Sequence, residues 1–215
     1  MFASEKAMVD KLVRDLQEKY DTQYIVRELR SGNNIADVVY ATDLNRDTVI
    51  FDEYVNAYYY VTGIYNKKSV AINEIETPNA TIDKKFLNFL HELEEMGYIN
   101  INGNYITSIK KVDAITKSFI AVEAKLFDWK AGLEQATRYK KYANEVYVAL
   151  SSDYIDKVDK SLLREMNIGL MSVSQGGLRV LVKAKSKRVK DLDIQYYIAD
   201  RFLKQLDVAK NNSRR

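Results

Sequence analysis

The stretch "SFIAVEAKLFDWKAGLEQATRYKKYANEVYVAL", residues 118–150, governs how the rest of the chain is read. Its first part is apolar from Phe119 to Val122 and again at Ala124 and Leu126, the pattern of a buried central strand. Glu123 and Lys125 interrupt that pattern two positions apart. Side chains at i and i+2 share one face of a strand, so this pair emerges together while Val122, Ala124 and Leu126 face the opposite layer. Burying a charge is costly unless it is paired or binds something. The plain explanation is a Glu–Lys pair at a partly wet strand end. A chain this rich in both residues holds such a triplet by chance, so its meaning depends on its neighbours.

Those neighbours have the right types. A helix is predicted over 129–144, with Gln135 and Tyr139 one turn apart on one face. The strand "EVYVALS" follows. Upstream, "SEKAMVDKLVRDLQEKY" has apolar residues at helical period behind Ser4 as N-cap. Two strands, "YIVRELR" (24–30) and "IADVVYAT" (35–42), flank the turn "SGNN". The second carries Asp37 among apolar residues. Beyond residue 150 the pattern predicts a helix around "DKVDKSLLREM", strands "IGLMSVS" and "LRVLVKAK" turning at "QGG", and a last helix "DLDIQYYIADRFLKQLDVAK". Strands alternating with helices imply an α/β fold with a mixed central sheet flanked by helices.

Residues 43–107 have a different character. "FDEYVNAYYYVTGIY" reads as a helix. A short helix, a turn at Pro78, a longer helix and a hairpin turning at "NGN" follow. Phe86, Phe89, Leu90, Leu93 and Met96 form the apolar stripe of the longer helix, which Gly97 ends. The order resembles a winged helix. Lys84 and Lys85 at the start of this helix suit DNA contact, whereas Glu92, Glu94 and Glu95 suit a structural or protein-contact role. The expected organisation is a discontinuous α/β domain, 1–42 with 108–215, interrupted by a small winged-helix-like insertion at 43–107.

Composition narrows the chemistry. The chain has 215 residues, no Cys and one His, so disulfides and thiolate metal sites are excluded, and a His-based triad would have to use His91. His91 sits among glutamates and reads as a surface residue. There is no Gly-rich phosphate loop, hence no sign of ATP use. The charged N-terminus and the absence of a long apolar run point away from a signal peptide, an anchor or any membrane partner, and a cytoplasmic location is expected. The net charge of +3 announces no partner. Its distribution says more: "KAKSKRVK" (183–190) and "KNNSRR" gather positive charge late in the chain, either as solvated surface or as phosphate contacts.

Taken together, "ADVV … AVEAKL … LEQATRYKKYANEVYVAL" resembles the PD-(D/E)XK nuclease superfamily, the restriction-endonuclease-like fold, and especially its Holliday-junction resolvases and restriction enzymes. Ala36 stands where the family's first motif has Pro. The resemblance implies a metal-dependent DNA endonuclease hydrolysing phosphodiesters with Mg²⁺ (or Mn²⁺). Asp37, Glu123 and the Ala124 carbonyl would hold the cation, and Lys125 would orient water or the phosphate. Gln135 would position water or phosphate, and Tyr139 would brace the site. Glu5 matches an extra acid of many members, where it would hold a second metal, or else it complements the helix dipole. Family members space their Asp and Glu-x-Lys closely, whereas Asp37 and Glu123 lie 86 positions apart; Asp113 is therefore the alternative ligand. Arg138, Lys140 and Lys141 could face a DNA backbone, or form a solvated helix face. Many members dimerise to cut both strands, so a homodimer is an expectation. A non-catalytic DNA-binding or regulatory protein on the same scaffold is the competing class, and an interaction module in a larger defence or mobile-element system is a third.

Overall fold

The computed structural model describes residues 1–45, 69–74, 84–111, 114–190 and 192–212, with the side chains of 85, 192, 193 and 208–212 excepted. It divides into two compact units, residues 1–44, 116–191 and 201–215, and residues 45–115 and 192–200.

The first unit is built on a six-stranded mixed sheet. The chain enters through α1 (Glu5–Tyr20). Ser4 caps it by accepting the Ala7 N–H at 3.1 Å, which satisfies one of the donors that a helix start leaves orphaned. Strands β1 (Ile25–Ser31) and β2 (Asn34–Ala41) follow. Their tight turn contains Gly32 at φ +59, a left-handed conformation that costs glycine little. After the second unit the chain returns as β6 (Phe119–Lys125), helix α3 (Trp129–Tyr139) and β7 (Glu145–Ser151). A 3₁₀ turn at Ser152–Lys157 leads to α4 (Lys160–Glu165), and strands β8 (Gly169–Ser174) and β9 (Gly177–Val182) complete the sheet.

The strand order is β1-β2-β6-β7-β8-β9. Pairing is parallel for β6/β7 and β7/β8 and antiparallel elsewhere. β6 and β7 are therefore central, which is why both are nearly all apolar. One face packs on α1: Met8, Leu12 and Leu16 meet Val38, Tyr40, Val122, Ala124, Tyr147 and Ala149. Helix α3 lies on the other face, so the odd-numbered Asp37, Glu123 and Lys125 project toward it. The helix predicted over 129–144 ends earlier, at Tyr139. The Ala143 N–H bonds back to the Tyr139 carbonyl, and Asn144 turns away to bond Phe119 at the start of β6.

The second unit contains β3 (Ser69–Ala71), a 3₁₀ turn at Ile72–Glu74, α2 (Lys84–Glu95), β4 (Ile99–Asn102) and β5 (Tyr105–Ser108). Its sheet runs β3-β5-β4, all antiparallel. The predicted stripe is its core: Phe86, Phe89, Leu90 and Leu93 pack with Tyr98, Ile99 and Ile106. Gly97, at φ +72, ends α2 as expected, with the Tyr98 N–H returning to the Leu93 carbonyl at 2.9 Å. The expected helix at 51–65, the turn at Pro78 and Asp113 lie outside the described residues. The last helix, α5 (Leu192–Asn212), was expected to belong wholly with the sheet. Its first nine residues group instead with 45–115, because Tyr196 joins the Phe86–Leu90 core. Residues 108–115 do the same. No described helix is long and apolar enough to cross a membrane.

Candidate active site

The antiparallel register of β2 and β6 pairs Val38 with Val122 and Val39 with Ala121. One step further along the same register sets Asp37 opposite Glu123. A separation of 86 positions thus closes to neighbouring strands, with both carboxylates on the α3 face. A hydrogen bond fixes the junction: the Ala124 N–H donates to Asp37 Oδ2 at 2.8 Å.

Glu123 is only 2% exposed. The Lys125 ammonium donates to its Oε1 at 2.6 Å, and the Tyr139 hydroxyl lies 2.5 Å from its Oε2. The same hydroxyl is 2.7 Å from the Ile35 carbonyl. A phenol carries one hydrogen, so one of these two close acceptors is served by it and the other needs a hydrogen from elsewhere. From α1, Glu5 accepts the Leu126 N–H at 3.3 Å and lies 3.8 Å from the Lys125 ammonium. The structure thus brings together Glu5, Asp37, Glu123, Lys125 and Tyr139.

Burial pushes the Asp37 carboxyl above its ordinary range, opposed by the Ala124 hydrogen bond and Lys125 and reinforced by Glu5 and Glu28. Burial likewise raises Glu123; the bonds from Lys125 and Tyr139 oppose the rise and the charge of Asp37 adds to it. For Lys125, burial pulls downward, but Glu123, Glu5 and Asp37 outweigh it and leave the ammonium above its usual value. Burial and then Glu123 push the Tyr139 phenol up. The cluster is acidic on balance and short of positive charge.

Such carboxyls hold protons in the folded chain at pH values where the unfolded chain has released them. The unfolding free energy therefore falls as pH rises from the ordinary carboxylate range through the raised native values. Asp37→Asn keeps an acceptor for the Ala124 N–H and removes one acid. We expect it to flatten this loss and raise the thermal midpoint by a few degrees at pH 8 but not at pH 4, in melts recorded without divalent cations. An equal shift at both pH values would contradict the assignment of strain to the ionised carboxylate.

Three neighbours, Gly132, Glu28 and Tyr142, escape a reading of sequence alone. Gly132, in the first turn of α3, sits where a Cβ would lie 3.2 Å from the Lys125 side chain and 3.2 Å from Val148. Its lack of a side chain lets the helix lie directly on the Lys125 stem. Glu28, in β1, has φ +51, rare for a residue with a Cβ. The pairs Arg27–Val38 and Leu29–Ala36 place it opposite Asp37, where the β1–β2 ladder is interrupted. Tyr142 packs its ring 6.1 Å from that of Tyr139, and its buried hydroxyl has no hydrogen-bond partner among the described residues. The Oε1 of Gln135, an expected site residue, is also buried without a partner among the described residues. Two unmatched polar atoms, one on α3 and one in the turn that follows it, are costly unless a further group meets them.

The expected DNA-facing side chains are less uniform. Arg138 is held by Glu134 at 2.7 Å, the solvated-face arrangement. The Lys140 ammonium bonds the Met166 carbonyl. Lys141 and Lys84 are exposed, and the side chain of Lys85 is outside the described residues.

The donor set fits a hard divalent cation. Among the described residues no group of three or more His, Cys, Asp or Glu side chains gathers as a metal cage. Mg²⁺ needs none, because it keeps several waters and uses one or two carboxylates. Each carboxylate offers about four lone-pair sites. Asp37 uses one on Ala124, and Glu123 one on Lys125 and at most one on Tyr139, so both retain capacity.

No family model matches the chain. No curated protein matches it either. Among solved structures it is similar, over 45% of its length, to the SPO1766 protein of unknown function from Silicibacter pomeroyi, at 11% identity and a TM-score of 0.36. The matched region spans 63% of that chain.

Proposed function

We propose that the first unit is a PD-(D/E)XK-type nuclease domain that hydrolyses DNA phosphodiesters with Mg²⁺ or Mn²⁺. The observation that carries this reading is the junction of Asp37 with Glu123 across adjacent antiparallel strands, with Lys125 beside them on the same face. Asp37 and Glu123 would hold the cation, with the Ala124 carbonyl as a further oxygen. When bound, the cation lowers the pKa of a water and stabilises charge on phosphate.

The chain's own groups have distinct tasks. The Lys125 ammonium, with three rotatable donors, can turn from Glu123 toward a phosphate oxygen. Glu5 holds the start of the loop after β6, and with it the position of Lys125. Tyr139 keeps the Glu123 carboxylate oriented from α3. Gln135, with an unmet acceptor, suits the hydrogen of a bound water. The helix, hairpin and third strand of the second unit support a winged-helix-like reading, in which that unit contacts DNA or another protein.

Incubation of plasmid, branched and single-stranded DNA with Mg²⁺ or Mn²⁺ tests the proposal. Cutting of at least one substrate, abolished by chelation, is the expected result. One observation favours the non-catalytic alternative: Lys125 and Tyr139 already meet both oxygens of Glu123. Salt-sensitive DNA binding with no metal-dependent cutting of any substrate would select it.

Gly132 gives a second test. In Gly132→Ala the Lys125 stem must yield by a few tenths of an ångström, which displaces its ammonium. Cleavage should fall about tenfold, since small misplacements of a catalytic group are expensive. Stability should change little, because the helix gains about 1 kcal/mol on losing a glycine and the tight contact offsets it. Unchanged cleavage by the folded variant would remove Lys125 placement from the mechanism.

A further inference from the structure

The segment 183–190, "KAKSKRVK", has no regular secondary structure, yet it is fastened to the first unit at alternate residues. At Lys185 both backbone groups are taken by one side chain: its N–H donates to Asn167 Oδ1 at 2.8 Å and its carbonyl accepts from Asn167 Nδ2 at 2.9 Å. At Lys187 the N–H donates to the Asn144 carbonyl at 2.9 Å, and the carbonyl accepts from Asn144 Nδ2 at 3.1 Å. Ala184 and Val189 are buried, 3% and 4% exposed, and anchor the segment from within. Lys183, Lys185, Lys187, Arg188 and Lys190 are all exposed. None of the five pairs with an acid among the described residues. Lys140 and Lys141 add to them from the end of α3, and the charge of Lys187 is felt at Lys140.

Like charges crowded together without acids cost free energy. Here the backbone is also held so that they cannot spread apart. We infer that this pinned basic segment is a binding surface for the phosphate backbone of duplex nucleic acid. A row of cations on a fixed backbone neutralises a polyanion and releases its counterions without first being ordered. A lipid surface is the weaker fit, because the apolar residues of the segment are turned inward and leave nothing to insert. Asn144 also bonds Phe119 at the start of β6, and Lys125 ends that strand. The segment therefore lies roughly 20 Å along the strand from the candidate catalytic lysine. The inference shares its nucleic-acid partner with the proposed function but needs none of its chemistry.

Binding of a fluorescein-labelled duplex of about 20 base pairs, followed by anisotropy in EDTA over a range of KCl concentrations, tests it apart from cleavage. The triple variant Lys185→Glu/Lys187→Glu/Arg188→Glu should bind at least about tenfold more weakly at low salt, and its log K against log salt should be shallower by roughly 2–3. Asn167→Gly is the companion variant. Asn167 has φ +48 and ends α4, with the Ile168 N–H returning to the Leu163 carbonyl, so glycine preserves that turn and deletes only the clamp. It should keep the wild-type salt slope and lose about threefold in affinity. Lys187→Glu alone gives the same readout at one charge should the triple variant not fold. Affinity and slope equal to wild type in the charge variants would overturn the inference. So would loss of binding to phosphatidylserine vesicles with duplex binding intact. Asn167→Gly equal to wild type would remove the clamp from it.

Discussion

Lys125→Ala is expected to lower metal-dependent DNA cleavage by about 10³-fold, the scale of losing a main electrostatic stabiliser of phosphate charge. The ammonium is also the partner of a buried carboxylate, so the variant should lose stability too, and loss of activity alone would not separate the two roles. Glu123→Gln separates them. It removes the ligand charge but leaves an amide that can still meet Tyr139, and it relieves the repulsion from Asp37. It should be as inactive as Lys125→Ala while being at least as stable as wild type in urea. If the Glu–Lys pair were only a structural bridge, both variants would move stability and neither would affect phosphate hydrolysis. Comparing cleavage rates with urea midpoints across the three proteins therefore distinguishes a site from a bridge.

The largest expected stability effect lies elsewhere in the sheet, at Gly169. A Cβ there would fall 2.1 and 2.2 Å from two ring carbons of Tyr147, its parallel partner on β7. That ring is 3% exposed within the α1-facing core, and its hydroxyl is tied to Glu145 at 2.8 Å, so it has little room to yield. Overpacking a core by one methyl commonly costs about 1–3 kcal/mol, and a clash with a held aromatic ring belongs at or above the top of that range. For a chain of this size Gly169→Ala should then lower the thermal midpoint by roughly 10 °C. Replacing Tyr147 with Leu in the same chain should recover part of the loss, a coupling that a double-mutant cycle would measure. A midpoint within about 2 °C of wild type would show that the ring moves aside freely.

How much was legible follows from the range of each interaction. The central strand could be read from its apolar run, and the shared face of Glu123 and Lys125 from strand period alone. Ser4 and Gly97 are local signals, and both act as caps where expected. That Asp37 faces Glu123 depended on register between segments 86 positions apart, which no local pattern encodes. Gly132 looked like an ordinary helical residue, because its role is the space it leaves for Lys125. Glu28 gave no sign of a left-handed backbone, a conformation that its side chain does not favour. Asn144 read as the last residue of a helix and Asn167 as a link between a helix and a strand, and only the fold shows each of them gripping a lysine backbone. The end of α5 nearer the sheet could not be told from its beginning, since both are amphipathic and only packing assigns Tyr196 to the core of Phe86 and Leu90.

The central claim is that Asp37 and Glu123 converge on one divalent ion. Titration of the full chain with Mn²⁺, with free ion followed by electron paramagnetic resonance, tests it most directly. Wild type should withdraw Mn²⁺ at a site that Mg²⁺ competes for, and Asp37→Asn and Glu123→Gln should each abolish that site while remaining folded. Mn²⁺ left free by the wild-type chain, or withdrawn equally by all three proteins, would contradict it.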